Sequence, residues 1–181
     1  MNRLLADKLR DISKPAGEFS VRVWTTPADQ PVATSRDIRV VPTNKDTRYR
    51  IGDKISVRFQ STRDCYLTLM NIGTSGKLII LFPNALHRDN RISANQVYEI
   101  PGHEYDFEYQ LQGPPGIERL KAIATLEKVD LLEVQLASDG SLFLTEAPAA
   151  AARDIAVMKR AVDEISSQQW AEDTWEFQVV R

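Results

Sequence analysis

The chain has 181 residues, 43% of them hydrophobic and 27% charged, which are ordinary proportions for a soluble globular protein. A formal net charge of −2 argues against nucleic-acid binding, which needs a concentrated basic surface, and gives no reason to expect a membrane partner. The single cysteine, Cys65, excludes an intrachain disulfide and fits a reducing compartment.

The N-terminal residues contain only a short apolar run before charged residues interrupt it. Neither a signal peptide nor a transmembrane segment is predicted, because both need a longer apolar stretch. We therefore expect a soluble, cytoplasmic protein. An exported protein that had lost its leader would give the same pattern.

The first elements are predicted from the spacing of apolar residues. Residues 2–13 show helical spacing, so 1–17 is expected to be an N-terminal helix and linker. Alternation of apolar and polar residues then predicts several strands. The predicted strands are 19–25, 54–60, 65–72 and 78–82, with a weaker one at 38–41. The last two are expected to form a hairpin around a glycine turn at 73–76, and 78–82, apolar throughout, is expected to be a central strand.

The pattern continues towards the C-terminus. Alternating aromatic and polar residues predict a strand at 105–111, and a further strand is expected at 117–126. Residues 131–136 are ambiguous between strand and short helix. Thr145 is expected to cap a helix at about 148–167, and a terminal strand is expected at 174–181.

Eight or nine short strands with short connections predict a mainly β fold, an antiparallel immunoglobulin-like β-sandwich. A short N-terminal helix and a helix before the last strand accompany it. Residues 18–181 are expected to form this single domain, with its core at 49–125.

Several short motifs stand in a fixed order within this core. They are a Tyr-x-x-Gly-Asp pattern at 49–53, Tyr-Leu at 66–67, Gly76, Leu-Phe-Pro-Asn at 81–84, Asn90, Tyr-Glu-Ile-Pro at 98–101, Gly116 and Lys-Ala-Ile-Ala-Thr at 121–125. In these residues the chain resembles the bacterial DUF4384 family, a domain of unknown function. The resemblance implies an accessory β-sandwich module that recognises or scaffolds other proteins. Family members occur beside caspase-like peptidases, protein kinases and envelope proteins, so a protein partner of that kind is implied, and no catalytic residues are.

Catalytic chemistry finds little support in the residue pattern. A nucleophilic Cys65 would need an adjacent base, and the two histidines, His87 and His103, lie in predicted loops. Cys65 is expected to be a buried, inert thiol because it shares a strand face with Leu67 and Leu69. No catalytic residue and no cofactor is predicted.

Other chemical sites are disfavoured for similar reasons. A metal site at His87, Asp89 and Asn90 lacks the spacing of zinc sites and the carboxylates of calcium sites, so no metal is predicted. Four acidic residues are expected on the solvent face of strands rather than as paired catalytic carboxylates. These residues are Asp106, Glu108, Glu118 and Glu127.

The remaining candidate is a recognition surface. The polar loop that follows the central strand mixes hydrogen-bond donors and acceptors, and Trp24 is an aromatic residue on the polar face of its strand. The candidate binding residues are Asn84, His87, Arg88, Asp89, Asn90, Arg91 and Trp24. The loop could equally be solvated only, and Trp24 could be covered by a helix.

We therefore expect a non-catalytic protein-interaction module of a bacterial regulatory, signalling or defence assembly. Its partner would bind the loop, a strand edge by β-augmentation, or the N-terminal helix. The alternatives are an envelope-associated sugar- or peptide-binding sandwich and, least favoured, a Cys65-dependent enzyme.

Overall fold

The computed structural model describes residues 2–14, 17–29, 47–129, 131 and 141–181, which form two helices and eleven strands. The helices are α1 (Asn2–Arg10) and α2 (Pro148–Asp163). The strands are β1 (Val21–Pro27), β2 (Arg48–Arg50), β3 (Lys54–Ser61), β4 (Cys65–Ile72), β5 (Leu78–Phe82), β6 (Arg91–Ile92), β7 (Tyr98–Ile100), β8 (Tyr109–Gln110), β9 (Gly116–Thr125), β10 (Leu144–Glu146) and β11 (Trp170–Val180). The predicted strand at 38–41 and nearly all of the ambiguous segment at 131–136 lie outside the described residues.

The described strands form two sheets, which confirms a mainly β fold with two helices. In the smaller sheet, β1, β7 and β8 all pair antiparallel with β3. The larger sheet has the order β10-β5-β4-β9-β11-β2, with β6 also paired to β4. Its β2 runs parallel to β11, so a wholly antiparallel fold was the wrong prediction. Strands of only two or three residues, such as β6 and β8, raise the number of strands above the eight or nine expected.

The main hydrophobic cluster, here called the inter-sheet core, lies between the two sheets. The smaller sheet contributes Val57 and Phe59, and the larger sheet contributes Leu67, Leu69 and Ala122. These side chains alternate along their strands with residues of the opposite face, as the period of two requires. The inner faces of the two sheets therefore bury each other.

A second cluster joins both helices to the outer face of the larger sheet. Leu5, Leu9 and Ile12 of the N-terminal segment lie in it together with buried residues of α2, including Met158. Ile80 of β5 belongs to this cluster, while Leu81 of the same strand belongs to the inter-sheet core. Both faces of β5 are thus covered, and β5 lies between β4 and β10, which explains its continuous apolar sequence.

Ion pairs reinforce the outer face of the larger sheet. Glu176 of β11 accepts hydrogen bonds from Arg10 of α1 and from Arg119 of β9, each at 2.7 Å. The buried Lys121 donates to Glu172 and, at 3.0 Å, to Thr174 on the neighbouring β11. The N-terminal segment is therefore attached to the sheet by polar as well as apolar contacts.

Two of the predicted elements need correction. The segment 105–111 contains only the two residues of β8, because it begins in a turn closed by a hydrogen bond from the Tyr105 N–H to the Gly102 carbonyl, 3.1 Å. Thr145 lies in β10 and caps no helix; Ala147 precedes α2 and no side chain caps it. The other elements lie within a few residues of their predicted positions.

Among the described residues, no helix has the length and apolar character needed to span a membrane.

Candidate functional site

The loop at 83–91, which holds most of the predicted binding residues, is organised by Asn84. This residue is fully buried. Its Nδ2 donates to the Leu81 carbonyl and to the Tyr105 hydroxyl, both at 2.9 Å, and its Oδ1 accepts from the backbone N–H groups of Leu86 and His87, both at 3.0 Å. The side chain has two donor hydrogens and two acceptor positions, and all four are used within the chain. Asn84 therefore holds the loop and presents no free polar group to a partner.

The other loop residues lie nearer the surface. The His87 ring packs against Phe82 and Tyr105, with centroid distances of 6.2 and 5.7 Å, and its Nε2 lies 3.3 Å from a Glu104 carboxylate oxygen. Leu86 is 54% exposed at the tip of the loop, beside the exposed residue Arg88.

The end of the loop is fixed by short hydrogen bonds. Asp89 is exposed and accepts from the Arg91 N–H at 3.2 Å, while the half-buried Asn90 uses its carbonyl to accept from the Leu67 N–H at 2.8 Å. The Arg91 guanidinium extends towards Asp64, with a separation of 3.9 Å. The structure thus leaves His87, Arg88, Asp89, Asn90 and Arg91 at least partly exposed on a loop that the buried Asn84 holds.

Trp24 is separate from this loop. It is only 6% exposed and belongs to the inter-sheet core, whereas the helices join the other cluster. Its indole therefore presents no aromatic face to solvent.

Cys65 and the two histidines lie in different environments. Cys65 is buried at the start of β4, opposite Ile92, as predicted, and burial raises the pKa of its thiol. His103 is fully exposed beside Glu104, at 3.4 Å. Within the ranges that the structure describes, no group of three or more His, Cys, Asp or Glu residues could hold a metal ion.

The structure contains a cavity that the sequence analysis missed, here called the cleft. It has a volume of about 520 Å³ and lies at one end of the inter-sheet core. Four stretches distant in sequence line it: the β4–β5 turn with the inner face of β5, the segment 107–113, residues 143–145 around the start of β10, and two buried residues of β4 and β9, Asn71 and Glu118. Such a volume is within the range of about 300–1,000 Å³ typical of small-ligand sites.

The floor of the cleft is a polar cluster formed by the buried residues Asn71 and Glu118 and the half-buried Tyr109. Asn71 Nδ2 donates to the Tyr109 hydroxyl at 2.8 Å and to Glu118 Oε2 at 3.0 Å. Asn71 is 1% exposed and Glu118 only 6%, so the prediction that Glu118 lies on the solvent face was wrong. Asn71 Oδ1 is buried and has no hydrogen-bond partner in the described part of the chain.

The electrostatics of the floor follow from burial. Burial raises the pKa of the Glu118 carboxyl, against the effect of hydrogen bonds from Asn71 and from the backbone of Thr74. The pKa of Tyr109 is raised as well, first by burial and then by the charge of Glu118. The floor therefore has several hydrogen-bond acceptors in a poorly solvated position, one of them a carboxyl group.

A row of aromatic rings joins the cleft to the 83–91 loop. Phe107 and Phe143 line the cleft in edge-to-face contact, with centroids 5.4 Å apart. Phe107 contacts Tyr105 at 5.7 Å, and Tyr105 in turn contacts His87 at 5.7 Å. The predicted loop and the cleft are thus connected by rings in contact, one of which, Tyr105, is buried.

The polar floor could have been predicted from the alternation of side chains between the two faces of a strand. Glu118 is two residues before Leu120 and therefore shares a face with Leu120 and Ala122, which are core residues. Asn71 continues the face of Leu67 and Leu69 in the same way. A polar residue in register with an apolar face is a signal of a buried polar site.

Residues 48–128 match the model of a family described as a domain of unknown function (DUF4384). The match confirms the resemblance inferred from the motifs between 49 and 125. It covers the floor residues Asn71, Tyr109 and Glu118 but not Phe143, the two helices, β1 or β11. Comparisons with curated proteins and with solved structures each gave no match.

Proposed function

We propose, from the premise that residues 48–128 are a DUF4384 domain, that this chain is an immunoglobulin-like β-sandwich acting as a non-catalytic recognition module. Its partner would be another protein of a bacterial regulatory, signalling or defence assembly. A caspase-like peptidase or a kinase would be such a partner, as the family resemblance implies. We place the binding site at the cleft and the adjoining 83–91 loop.

The observation that carries this proposal is the composition of the cleft. Aromatic walls of Phe107 and Phe143 and a small set of convergent polar groups are typical of binding sites. The aromatic row connects the cleft to the partly exposed His87, which follows the exposed Leu86 in the chain. A segment of a partner protein in the cleft would therefore also meet the loop.

The two other surfaces considered from the sequence are less favourable. The apolar residues Leu5 and Leu9 of α1 are already buried against the larger sheet. The edge strand β1 is partly covered by β11, because the Val23 N–H donates to the Asp173 carboxylate at 2.8 Å. β-Augmentation needs free backbone groups along such an edge.

A second candidate is a sugar-binding or peptide-binding sandwich of the cell envelope. The cleft also favours this function, since its aromatic rings lie beside amide and carboxyl groups such as those of Gln110 and Glu118. A Cys65-dependent enzyme remains the least favoured function because a buried thiol with a raised pKa supplies little thiolate.

Selection from a random peptide display library tests the proposal. The full chain should enrich peptides. These peptides should bind the Phe107→Ala variant at least about tenfold more weakly than they bind wild type, because a buried aromatic residue contributes strongly to the binding free energy. The matched control is Val157→Ala, which changes an exposed apolar residue of α2 and should leave binding unchanged. Circular dichroism of both variants checks that they remain folded.

Two results would contradict the proposal. Peptides that bind wild type and Phe107→Ala equally would exclude the cleft as the recognition site. Enrichment of no peptide, together with binding to a glycan array that Phe107→Ala abolishes, would replace it with the sugar-binding alternative.

A further inference from the structure

We infer that the floor of the cleft receives the guanidinium group of an arginine side chain from the partner, held by Asn71, Glu118 and Tyr109. This inference rests on the proposed function and specifies the chemistry of the segment that the cleft recognises. It follows from the hydrogen-bond accounting, the charge and the shape of the floor.

The floor has one acceptor, Asn71 Oδ1, that no described residue uses. Asn71 donates both of its amide hydrogens, to Tyr109 and Glu118, but its Oδ1 is buried and accepts no hydrogen bond from any described residue. Buried polar atoms in native proteins are nearly always paired, and an exception calls for an explanation. Asn71 is one of the residues that line the cleft, although its Oδ1 has almost no accessible surface. A bound ligand that displaces the groups covering Oδ1 would supply the missing donor.

The charge of the floor favours a cationic donor. Glu118 accepts hydrogen bonds from Asn71 and from the backbone of Thr74, both neutral, and forms no ion pair with any described residue. By contrast, Glu108 at the rim of the cleft is paired with Lys54 at 2.7 Å. Lys77 also lines the cleft, but it is exposed and therefore belongs to the rim. A buried carboxylate without a cation is stabilised when a ligand provides one.

The shape of the site favours guanidinium over ammonium. Guanidinium is planar and carries five N–H donors in a fixed fork, so it can reach a carboxylate and a neighbouring carbonyl together. It also stacks on aromatic faces, and the rings of Phe107 and Tyr109 line the same cavity. Lysine offers a compact point charge without this fixed fork of donors and without a planar group to stack on a ring.

Titration of the full chain with four blocked pentapeptides, followed by ¹⁵N NMR, tests the inference. The peptides have the form Ala-Ala-X-Ala-Ala, where X is arginine, citrulline, lysine or methionine. Citrulline is the matched control because it keeps the shape of arginine without its charge. Arginine should bind at least about tenfold more tightly than citrulline, as expected for charge-assisted hydrogen bonds in a buried site, and should shift the side-chain amide signals of Asn71.

Two variants separate a binding role from a structural one. Glu118→Gln should bring the arginine and citrulline affinities close to each other, whereas Glu127→Gln, a change at an exposed residue, should preserve the wild-type ratio. Tyr109→Phe removes one hydroxyl from the floor and should lower the ratio as well. If Glu118→Gln fails to fold, the comparison of arginine with citrulline in the wild-type chain still decides the question.

The outcomes distinguish this inference from the proposed function. Equal binding of arginine and citrulline to wild type would overturn the inference, and display-selected peptides that still need Phe107 would leave the proposed function standing. Lysine binding as tightly as arginine would overturn the assignment of guanidinium. Arginine-dependent shifts at Asn71 in a chain that enriches no peptide would support a guanidinium site but refute the protein-partner function, and with it a partner protein as the source of the arginine.

Discussion

At the scale of single residues, the core departs from an ordinary one in holding acidic groups whose lost solvation is not fully replaced by hydrogen bonds and opposite charges. Glu118 and Asp173 both have a pKa raised chiefly by burial. A carboxyl group in this position costs stability when it is ionised. Proteins retain such groups at functional sites more often than elsewhere, which is consistent with the role proposed for Glu118.

Glu146 at the end of β10 provides a pH-dependent test of stability. Burial raises the pKa of Glu146 from an ordinary 4.5 to about 7, and Asp154 in α2 contributes to this rise through a hydrogen bond and through its charge. Between these two values the folded state binds more protons than the unfolded state, so the free energy of unfolding should fall as pH rises from about 4.5 to about 7. Urea denaturation across this range should show a shallower fall for Glu146→Gln than for wild type.

The control for this experiment is Glu164→Gln, which changes an exposed carboxylate just after α2. Its pH dependence should follow that of wild type. Equal slopes for Glu146→Gln and wild type would show that Glu146 does not titrate in this window.

Cys65 and Glu118 show how far the side-chain alternation of a strand predicts burial. Cys65 was correctly predicted as buried because it shares the face of Leu67 and Leu69. Glu118 shares a strand face with Leu120 in the same way, and this alternation predicts that it lies in the core. A carboxyl group usually lies in solvent, which favours an exposed position, but it can be buried where amide and hydroxyl groups surround it.

At the scale of elements, α1 depends on tertiary packing. A helix of nine residues is too short to be stable by itself in water. Leu9 is 2% exposed and belongs to the cluster that joins the helices to the larger sheet. Replacing it by alanine should lower the free energy of unfolding by about 2–5 kcal/mol, the usual loss for a buried leucine.

The matched control lies on the same helix. Leu4 is 61% exposed, so Leu4→Ala should change the free energy of unfolding by no more than about 0.5 kcal/mol. Urea denaturation of both variants measures the difference. Similar losses for Leu4→Ala and Leu9→Ala would contradict this assignment to packing, since alanine is the better helix former and the exposed site should lose little.

The elements that sequence reasoning missed have a common cause. Apolar and polar residues alternate strongly at 105–111, but only β8 forms there. The segment begins in a turn closed between Gly102 and Tyr105, so its first residues do not pair with a neighbouring strand. The parallel pairing of β2 with β11 joins residues that are far apart along the chain. Local patterns identify where strands form but do not determine which strand lies beside which.

At the scale of the whole molecule, the cleft is a product of topology. Asn71, Tyr109 and Phe143 come from three distant parts of the chain and meet only because the two sheets pack together. No spacing within the sequence indicates this arrangement. The mainly β character, the two helices and most strands were therefore predictable, whereas the site was predictable only as single polar residues on apolar faces.

The matched segment 48–128 should not fold when it is separated from the rest of the chain. It would lack β1, the neighbour of β3, and β11, which lies between β9 and β2. Its inner and outer apolar faces would both be left partly uncovered. We expect poor dispersion in its NMR spectrum and no cooperative thermal transition, in contrast to the 181-residue chain. A cooperative transition of the isolated segment would contradict this expectation.

The position of β11 also affects how the protein is made. This strand completes the larger sheet beside β9, and its Trp175 indole N–H donates to Thr25 on β1 at 3.0 Å. Translation proceeds at about 5–20 residues per second, so several seconds separate the synthesis of β9 from that of β11. During that interval the β9 edge that will pair with β11 has free backbone hydrogen-bonding groups, which can pair with other chains. Chaperones at the ribosome would then have their greatest effect on the yield of folded protein.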